Sequence, residues 1–261
     1  MATYLDRILA AHRDAAAADP RPLDALLDAA QACSPARGFS AAVAAADGLA
    51  VIAEVKRASP SKGDLYRNLD PAAVAAAYAA GGATCLSVLT DEAWFAGSAQ
   101  DLQLARAAVD VPVLRKDFTV AAADVCDART MGADCVLLIA AALDDVELTE
   151  LHALAVEVGL DVLVEIHDEP ELERALSAGA TLIGVNQRDL VTFEVDTDRA
   201  VRMAPQMPDG VIRVAESGVR GVADAARLAD AGYDAVLVGE SLVTAGDHGA
   251  AVAALRAIGR S

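Results

Sequence analysis

Short runs of consecutive β-branched and apolar residues recur along the chain: Ala50 to Lys56, Thr84 to Leu89, Val111 to Lys116, Cys135 to Ala140, Val162 to His167, Leu182 to Asn186, Val211 to Glu216 and Ala235 to Gly239. Each reads as a strand, and their starts lie roughly 20 to 35 residues apart, the length of one βα unit. Several are apolar on successive residues rather than on alternate ones. That pattern is expected of a parallel sheet covered on both faces.

Helix signals fill the gaps. Asp70 followed by Pro71 is an N-cap with proline in the first helical position, and Gly81 closes that helix. Ser98 with Asp101, Asp144 with Glu147, and Asp168 with Glu171 have capping spacing. Gly132, Gly159, Gly179 and Gly232 read as C-terminal stops. Strand and helix thus alternate eight times, which predicts a parallel sheet closed into a (βα)8 TIM barrel. An open doubly wound sheet would instead carry Gly-x-Gly-x-x-Gly after its first strand, where Lys56-Arg57-Ala58-Ser59 stands.

Residues 1–48 lie outside the repeat. Leu5, Ile8 and Leu9 have helical spacing, and Leu23, Leu26 and Leu27 suggest a second helix after Pro22. The expected organisation is one α/β domain over 1–261, with an N-terminal helical extension (1–48) packed on a barrel (49–261).

Composition narrows the function. Of 261 residues 55% are hydrophobic and only 3% aromatic, so the apolar content is mostly small side chains; no apolar stretch is long enough to span a bilayer. A formal net charge of −18 repels a nucleic-acid backbone and argues against that partner. It repels small phosphates too, but only over a screening length of about 8 Å, so a few placed cations can still define an anion site. The start, Met1-Ala2-Thr3-Tyr4-Leu5-Asp6, has no basic region followed by an apolar run, so no signal peptide is expected. Cys33, Cys85, Cys126 and Cys135 lack Cys-x-x-Cys spacing and read as small buried residues of a reduced, cytoplasmic protein. The four histidines, His12, His152, His167 and His248, lack metal-ligand spacing, so no metal is expected. Of these, His167 reads as structural.

In such a barrel the chemistry sits at the C-terminal ends of the strands. Those ends are unusually polar: Glu54 and Lys56, Lys116, Glu165, Asn186 and Arg188, and Glu216 with Ser217. Glu54 and Lys56, two apart, share one strand face. One charged strand end alone is ordinarily just solvated. Two lysines and three carboxylates at one mouth suit proton-transfer chemistry instead. The last two strands run into Glu216-Ser217-Gly218 and Gly239-Glu240-Ser241, where barrels of this kind bind phosphate on backbone amides and a short helix N-terminus. Glu240 is expected to point away. Trp94 and Phe95 either stack on an aromatic substrate or cap the barrel.

The segment Val51-Ile52-Ala53-Glu54-Val55-Lys56-Arg57-Ala58-Ser59-Pro60-Ser61-Lys62-Gly63 closely resembles the signature of the indole-3-glycerol phosphate synthases. The resemblance continues through Leu114 to Phe118, Val164 to His167, Gly184 to Leu190, Ala215 to Gly218 and Leu237 to Ser241, and so spans nearly the whole chain. It implies a lyase of tryptophan biosynthesis that closes an indole ring with loss of carbon dioxide and water, using no cofactor. It further implies Lys116 as the condensation acid, Glu165 as the acid or base of dehydration, and Lys56 and Glu54 as catalytic partners. Asn186, Arg188, Glu216, Ser217, Phe95, Leu137 and Ile139 would bind the substrate. Lys56, Ser59, Gly218, Gly239 and Ser241 would hold its phosphate. The expected partner is a phosphorylated small molecule, with neither nucleic acid nor membrane involved, and a monomer is compatible with the sequence.

Two rivals are set against this reading. A phosphoribosylanthranilate isomerase would want a cysteine at the end of the first strand, where Glu54 and Lys56 stand. A non-catalytic sugar-phosphate-binding barrel would not need the charged mouth.

Overall fold

The computed structural model describes residues 3–60 and 62–259; Ser61 of the signature, and Met1 and Ala2 of the amino terminus, lie outside the described residues. Eight parallel strands close into a barrel: Ala50–Val55, Cys85–Leu89, Val113–Lys116, Cys135–Ile139, Asp161–Ile166, Leu182–Asn186, Ile212–Glu216 and Ala235–Val238. Each pairs with its neighbours in chain order, and the eighth returns to the first, in register Ala50 to Ala235 through Ala53 to Val238. All eight expected strands are present. The third begins at Val113 rather than Val111, because Val111 and Pro112 form the approach to it. Six strands are buried along their full length, or all but their first residue, which is why their sequences are apolar on consecutive positions.

The caps form as their spacing predicts. Asp70 accepts from the amides of Ala72 and Ala73, Ser98 from Asp101, Asp144 from Glu147 and Asp168 from Glu171. Gly132, Gly159, Gly179 and Gly232 all take positive φ just past their helices, the conformation that costs glycine least.

The extension holds three helices, α1 (Tyr4–Ala17), α2 (Leu23–Gln31) and α3 (Phe39–Ala44), one more than the apolar spacing suggested. The third was hidden because only Phe39 and Val43 mark its inner face, and both are fully buried. The extension grips the barrel at both ends. At the base, the Ser40 amide donates to Asp161 and the Arg37 amide to Asp134, while the Arg37 guanidinium donates to the carbonyls of Val109 and Val111. At the mouth, Arg13 of α1 makes an ion pair with Glu147, and Tyr4 packs edge-on against Trp94 and Phe193. Among the described residues no helix is long and apolar enough to cross a membrane.

Candidate active site

Strand register sets the site. Ile139 lies beside Glu165, Glu165 beside Gly184, and Asn186 beside Glu216, so residues far apart in sequence stand at one level of the barrel. They line a cavity of about 1010 Å³ at the mouth. Every residue assigned to the site from the sequence lines it: Glu54, Lys56, Ser59, Phe95, Lys116, Leu137, Ile139, Glu165, Asn186, Arg188, Glu216, Ser217, Gly218, Gly239 and Ser241.

Lys116 is the centre of the charge pattern. Its Nζ lies 2.6 Å from Glu165 Oε2 and 2.6 Å from Glu216 Oε2, and both glutamates are 2% exposed. Asn186 Nδ2 donates to the other Glu165 oxygen at 2.9 Å. A second pair stands beside this triad, with Lys56 Nζ 2.6 Å from Glu54 Oε1 and Ser87 donating to the other Glu54 oxygen. Burial pulls the Lys116 pKa down, but the charges of Glu165, Glu216 and Glu54 outweigh it and raise the pKa above the ordinary lysine value.

The two glutamates diverge. Burial pushes both carboxyls up. In Glu165 the Lys116 ammonium wins, helped by His167 and the Asn186 amide, and holds the group down at about 2. In Glu216 burial wins over Lys116, with the Glu165 charge adding to it, and the group is pushed up to about 7. The sites therefore hold carboxyls tuned in opposite directions around one ammonium, the usual mark of an acid–base pair.

A folded-state pKa raised above the unfolded 4.5 means that ionising Glu216 is harder in the fold. Its contribution to stability is full below 4.5 and is lost as pH rises towards 7. Glu216→Gln should accordingly shrink the fall in Tm between about pH 5 and pH 8. An unchanged fall in thermal melts would contradict the assignment of that titration to Glu216.

Two glycines make room for these carboxylates, a role the sequence reading did not give them. A Cβ on Gly184 would lie 2.0 Å from Glu216 Oε1, and one on Gly239 would lie 2.3 Å from Glu54 Oε1 and 2.9 Å from Lys56 Nζ. Gly239 thus keeps the turn after the eighth strand open and the Glu54–Lys56 pair in place.

A pair of backbone turns, after the seventh and eighth strands, also lines the cavity. Ser217 and Gly218 take φ of 65° and 74°, so two successive residues are left-handed; at the serine this conformation carries strain. Gln187 Nε2 donates to the Ser217 carbonyl at 2.7 Å and braces the turn. Ser241 Oγ donates to the Val219 carbonyl at 2.9 Å and ties this turn to the short helix Glu240–Val243. That helix has four residues, too few peptide units to build a full macrodipole.

Some expectations need correction or sharpening. Glu240 does not point away: it lines the rim, and Lys62 from the loop after the first strand reaches to 3.3 Å of its Oε1. Arg188 makes no ion pair among the described residues; its guanidinium donates to the Phe193 carbonyl and shapes the loop that follows the sixth strand. Phe95 faces the cavity, whereas Trp94 packs on Tyr4 and caps it. Cys85, Cys126 and Cys135 are buried as expected, and Cys33 is half-buried.

Sequence reasoning missed the contribution of the extension. Tyr4, Leu5 and Ile8 of α1 line the cavity, as do Asp91, Asp117 and Phe193. His12 Nε2 lies 2.8 Å from Asp91 Oδ2 and 3.9 Å from Asp117 Oδ1, a grouping with metal-ligand chemistry. Asp117 is already taken by Arg115 and Thr90, and Asp91 caps the helix Glu92–Phe95. The three act as an ion-paired tether of α1 to the mouth. No local spacing announces it, since the histidine is 79 residues from Asp91.

A closed parallel barrel whose mouth carries an ammonium caged by two carboxylates, beside the turns that end the seventh and eighth strands, has the architecture of an enzyme of the (βα)8 class. Comparison with known proteins makes the assignment narrower. The chain belongs to the indole-3-glycerol phosphate synthase family, whose model matches residues 5–255. It is 52% identical over 247 residues to the indole-3-glycerol phosphate synthase of Mycobacteroides abscessus, covering 95% of this chain and 85% of that one. To the protein of the same name from Mycolicibacterium gilvum it is 52% identical over 255 residues, covering 97% and 94%. Among solved structures, a thiamine phosphate pyrophosphorylase from Pyrococcus furiosus matches with a TM-score of 0.61 at 17% identity, covering 80% of this chain and 95% of that one. That likeness concerns the fold alone.

Proposed function

We propose that this chain converts 1-(2-carboxyphenylamino)-1-deoxyribulose 5-phosphate into indole-3-glycerol phosphate, and that the Lys116 triad carries the chemistry. The observation that carries this reading is one ammonium within 2.6 Å of two buried carboxylates in a cavity that the glycine turns after the seventh and eighth strands also line.

The reaction begins when the ring carbon bearing the carboxylate attacks the ketone. Negative charge develops on the ketone oxygen, and Lys116, held firmly protonated, donates to it there. A donor fixed in a dry site costs no reorganisation at that moment. Carbon dioxide then leaves, and its bonding electrons restore the aromatic ring. In the last step a proton is taken from the new five-membered ring and hydroxide departs as water. Glu165, low in pKa and ionised, takes the ring proton; Glu216, poised near 7, can give a proton to the leaving hydroxyl. Lys56, kept in place by Glu54, contacts the substrate's anionic groups.

Phe95, Leu137 and Ile139 form the apolar wall for the aromatic ring, and Asn186, Arg188 and Ser217 meet its polar groups. Ser59, Gly218, Gly239 and Ser241 hold the phosphate. Ser241→Ala breaks the tie to Val219 and loosens the cradle. Its expected effect is a KM raised about tenfold with kcat little changed, as when an interaction present in both ground and transition state is lost. An unaltered KM in steady-state kinetics would place the phosphate elsewhere. The four thiols form no disulfide, which suits a reducing, cytoplasmic setting.

The activity itself is tested by adding the anilino-ribulose phosphate to the purified protein. Indole absorbance and fluorescence should grow with one carbon dioxide released per product; a folded protein that forms neither would refute the reading.

A further inference from the structure

Behind Glu165 lies a half-buried acid–base pair that the ring-closing scheme leaves unused. His167 follows Glu165 by two residues, one position past the end of the fifth strand, and its ring lies beside the Glu165 carboxylate. Its Nε2 is 3.8 Å from Glu165 Oε1, beyond hydrogen-bond reach but well within range of a direct charge interaction. On the other side of the ring, Nδ1 lies 3.1 Å from Glu171 Oε2. That same carboxylate oxygen accepts the backbone N–H of His167 at 2.7 Å, which fixes the ring to the first turn of the helix Glu169–Ser177.

The geometry decides the charge state. Nδ1 faces a carboxylate and must carry a proton. A neutral ring of that tautomer would turn a bare lone pair at Nε2 towards a second carboxylate, inside the protein. Nε2 is buried and has no hydrogen-bond partner. A proton on Nε2 replaces that repulsion with attraction, so the imidazolium is the form that fits. The charged groups around it come from three further elements. Glu171 is on the following helix; Arg199, an opposing cation, lies after the sixth strand; and the Lys116 ammonium of the third strand stands beyond Glu165.

We propose that His167, anchored as an imidazolium by Glu171, is a positioning residue that keeps Glu165 ionised and so sets the lowest pH at which the dehydration step runs. The proposal rests on the reading of Glu165 as the base of that step. Burial opposes charge on the ring, yet Glu171 and Glu165 raise the pKa of His167 above its ordinary value, in keeping with the geometry. In a resting site Lys116 also stabilises the Glu165 carboxylate. Once Lys116 turns to the substrate oxygen, His167 is the cation that remains beside it.

The test is the pH profile of kcat for the full chain and its variants His167→Gln and Glu171→Gln. His167→Gln should move the acid limb to higher pH by about one unit or more, the size expected when a cation within 6 Å of a carboxylate is lost. Glu171→Gln, which can still accept the backbone N–H, should move it the same way by less. Neither shift should appear in the residual activity of a Glu165→Gln background. Profiles that superimpose on the parent, with or without a lower Tm, would reduce His167 to a structural role and overturn the proposal. Full turnover in Glu165→Gln alone would instead overturn the reading of Glu165 on which it rests.

Discussion

Lys116→Ala is expected to lower kcat by about a thousandfold, the scale on which a placed proton donor acts. The loss should fall on kcat and kcat/KM together, because the ammonium meets its strongest partner only as the ketone oxygen gains charge. The barrel should survive. Removing the cation leaves Glu165 and Glu216 facing one another across the space it filled, both 2% exposed. Two buried like charges cannot both persist, and the pair relieves itself by taking up a proton. The variant should therefore fold, melt at a somewhat lower temperature, and bind product with the phosphate grip intact. Rapid-quench or steady-state kinetics at saturating substrate give the number. A kcat near that of the parent would remove Lys116 from the chemistry.

Glu165→Gln should cost about a hundredfold to a thousandfold in kcat with KM nearly unchanged. The substituted amide keeps the shape, and its oxygen can still accept from Asn186 Nδ2. It cannot take a proton from the forming ring. The block then falls after carbon–carbon bond formation, so carbon dioxide release should outlast indole formation in a single turnover. Unchanged product formation would reassign the base, with Glu54 an alternative in the same cavity.

Much of this arrangement was legible before any coordinates. Strands covered on both faces must be apolar on consecutive residues, and that made the barrel readable from Ala50 to Gly239. Polar residues at the ends of such strands have few structural reasons to be there, so Glu54, Lys56, Lys116, Glu165, Asn186 and Glu216 stood out one by one. What sequence could not supply was pairing. Nothing local says that Lys116 sits between Glu165 and Glu216 rather than against Glu54, because the choice follows from the stagger of strands around the barrel. Gly239 read as a phosphate glycine and Gly184 as one residue of a strand; only the carboxylates packed against them reveal the other reason for a missing Cβ.

The extension was the least legible part. Its first helix reads as an ordinary amphipathic segment, yet it brings Tyr4, Leu5 and Ile8 to the cavity and a histidine to Asp91. Its third helix is marked by two apolar residues alone. Both features depend on contacts distant in sequence, such as Arg13 with Glu147, 134 residues away, and the Ser40 amide with Asp161, 121 residues away. Periodicity reports which face of a helix is buried; it carries no information about what that face is buried against.

The central claim, that one ammonium serves the ketone while the turns after the seventh and eighth strands hold the phosphate, is tested most directly by a crystal structure with a non-reactive analogue whose ketone is reduced to an alcohol. The account predicts Lys116 Nζ within hydrogen-bond distance of that alcohol oxygen, and the phosphate on the amides of Gly218 and Gly239. An analogue bound with Lys116 still closed between its two glutamates, and with its phosphate away from those turns, would contradict it.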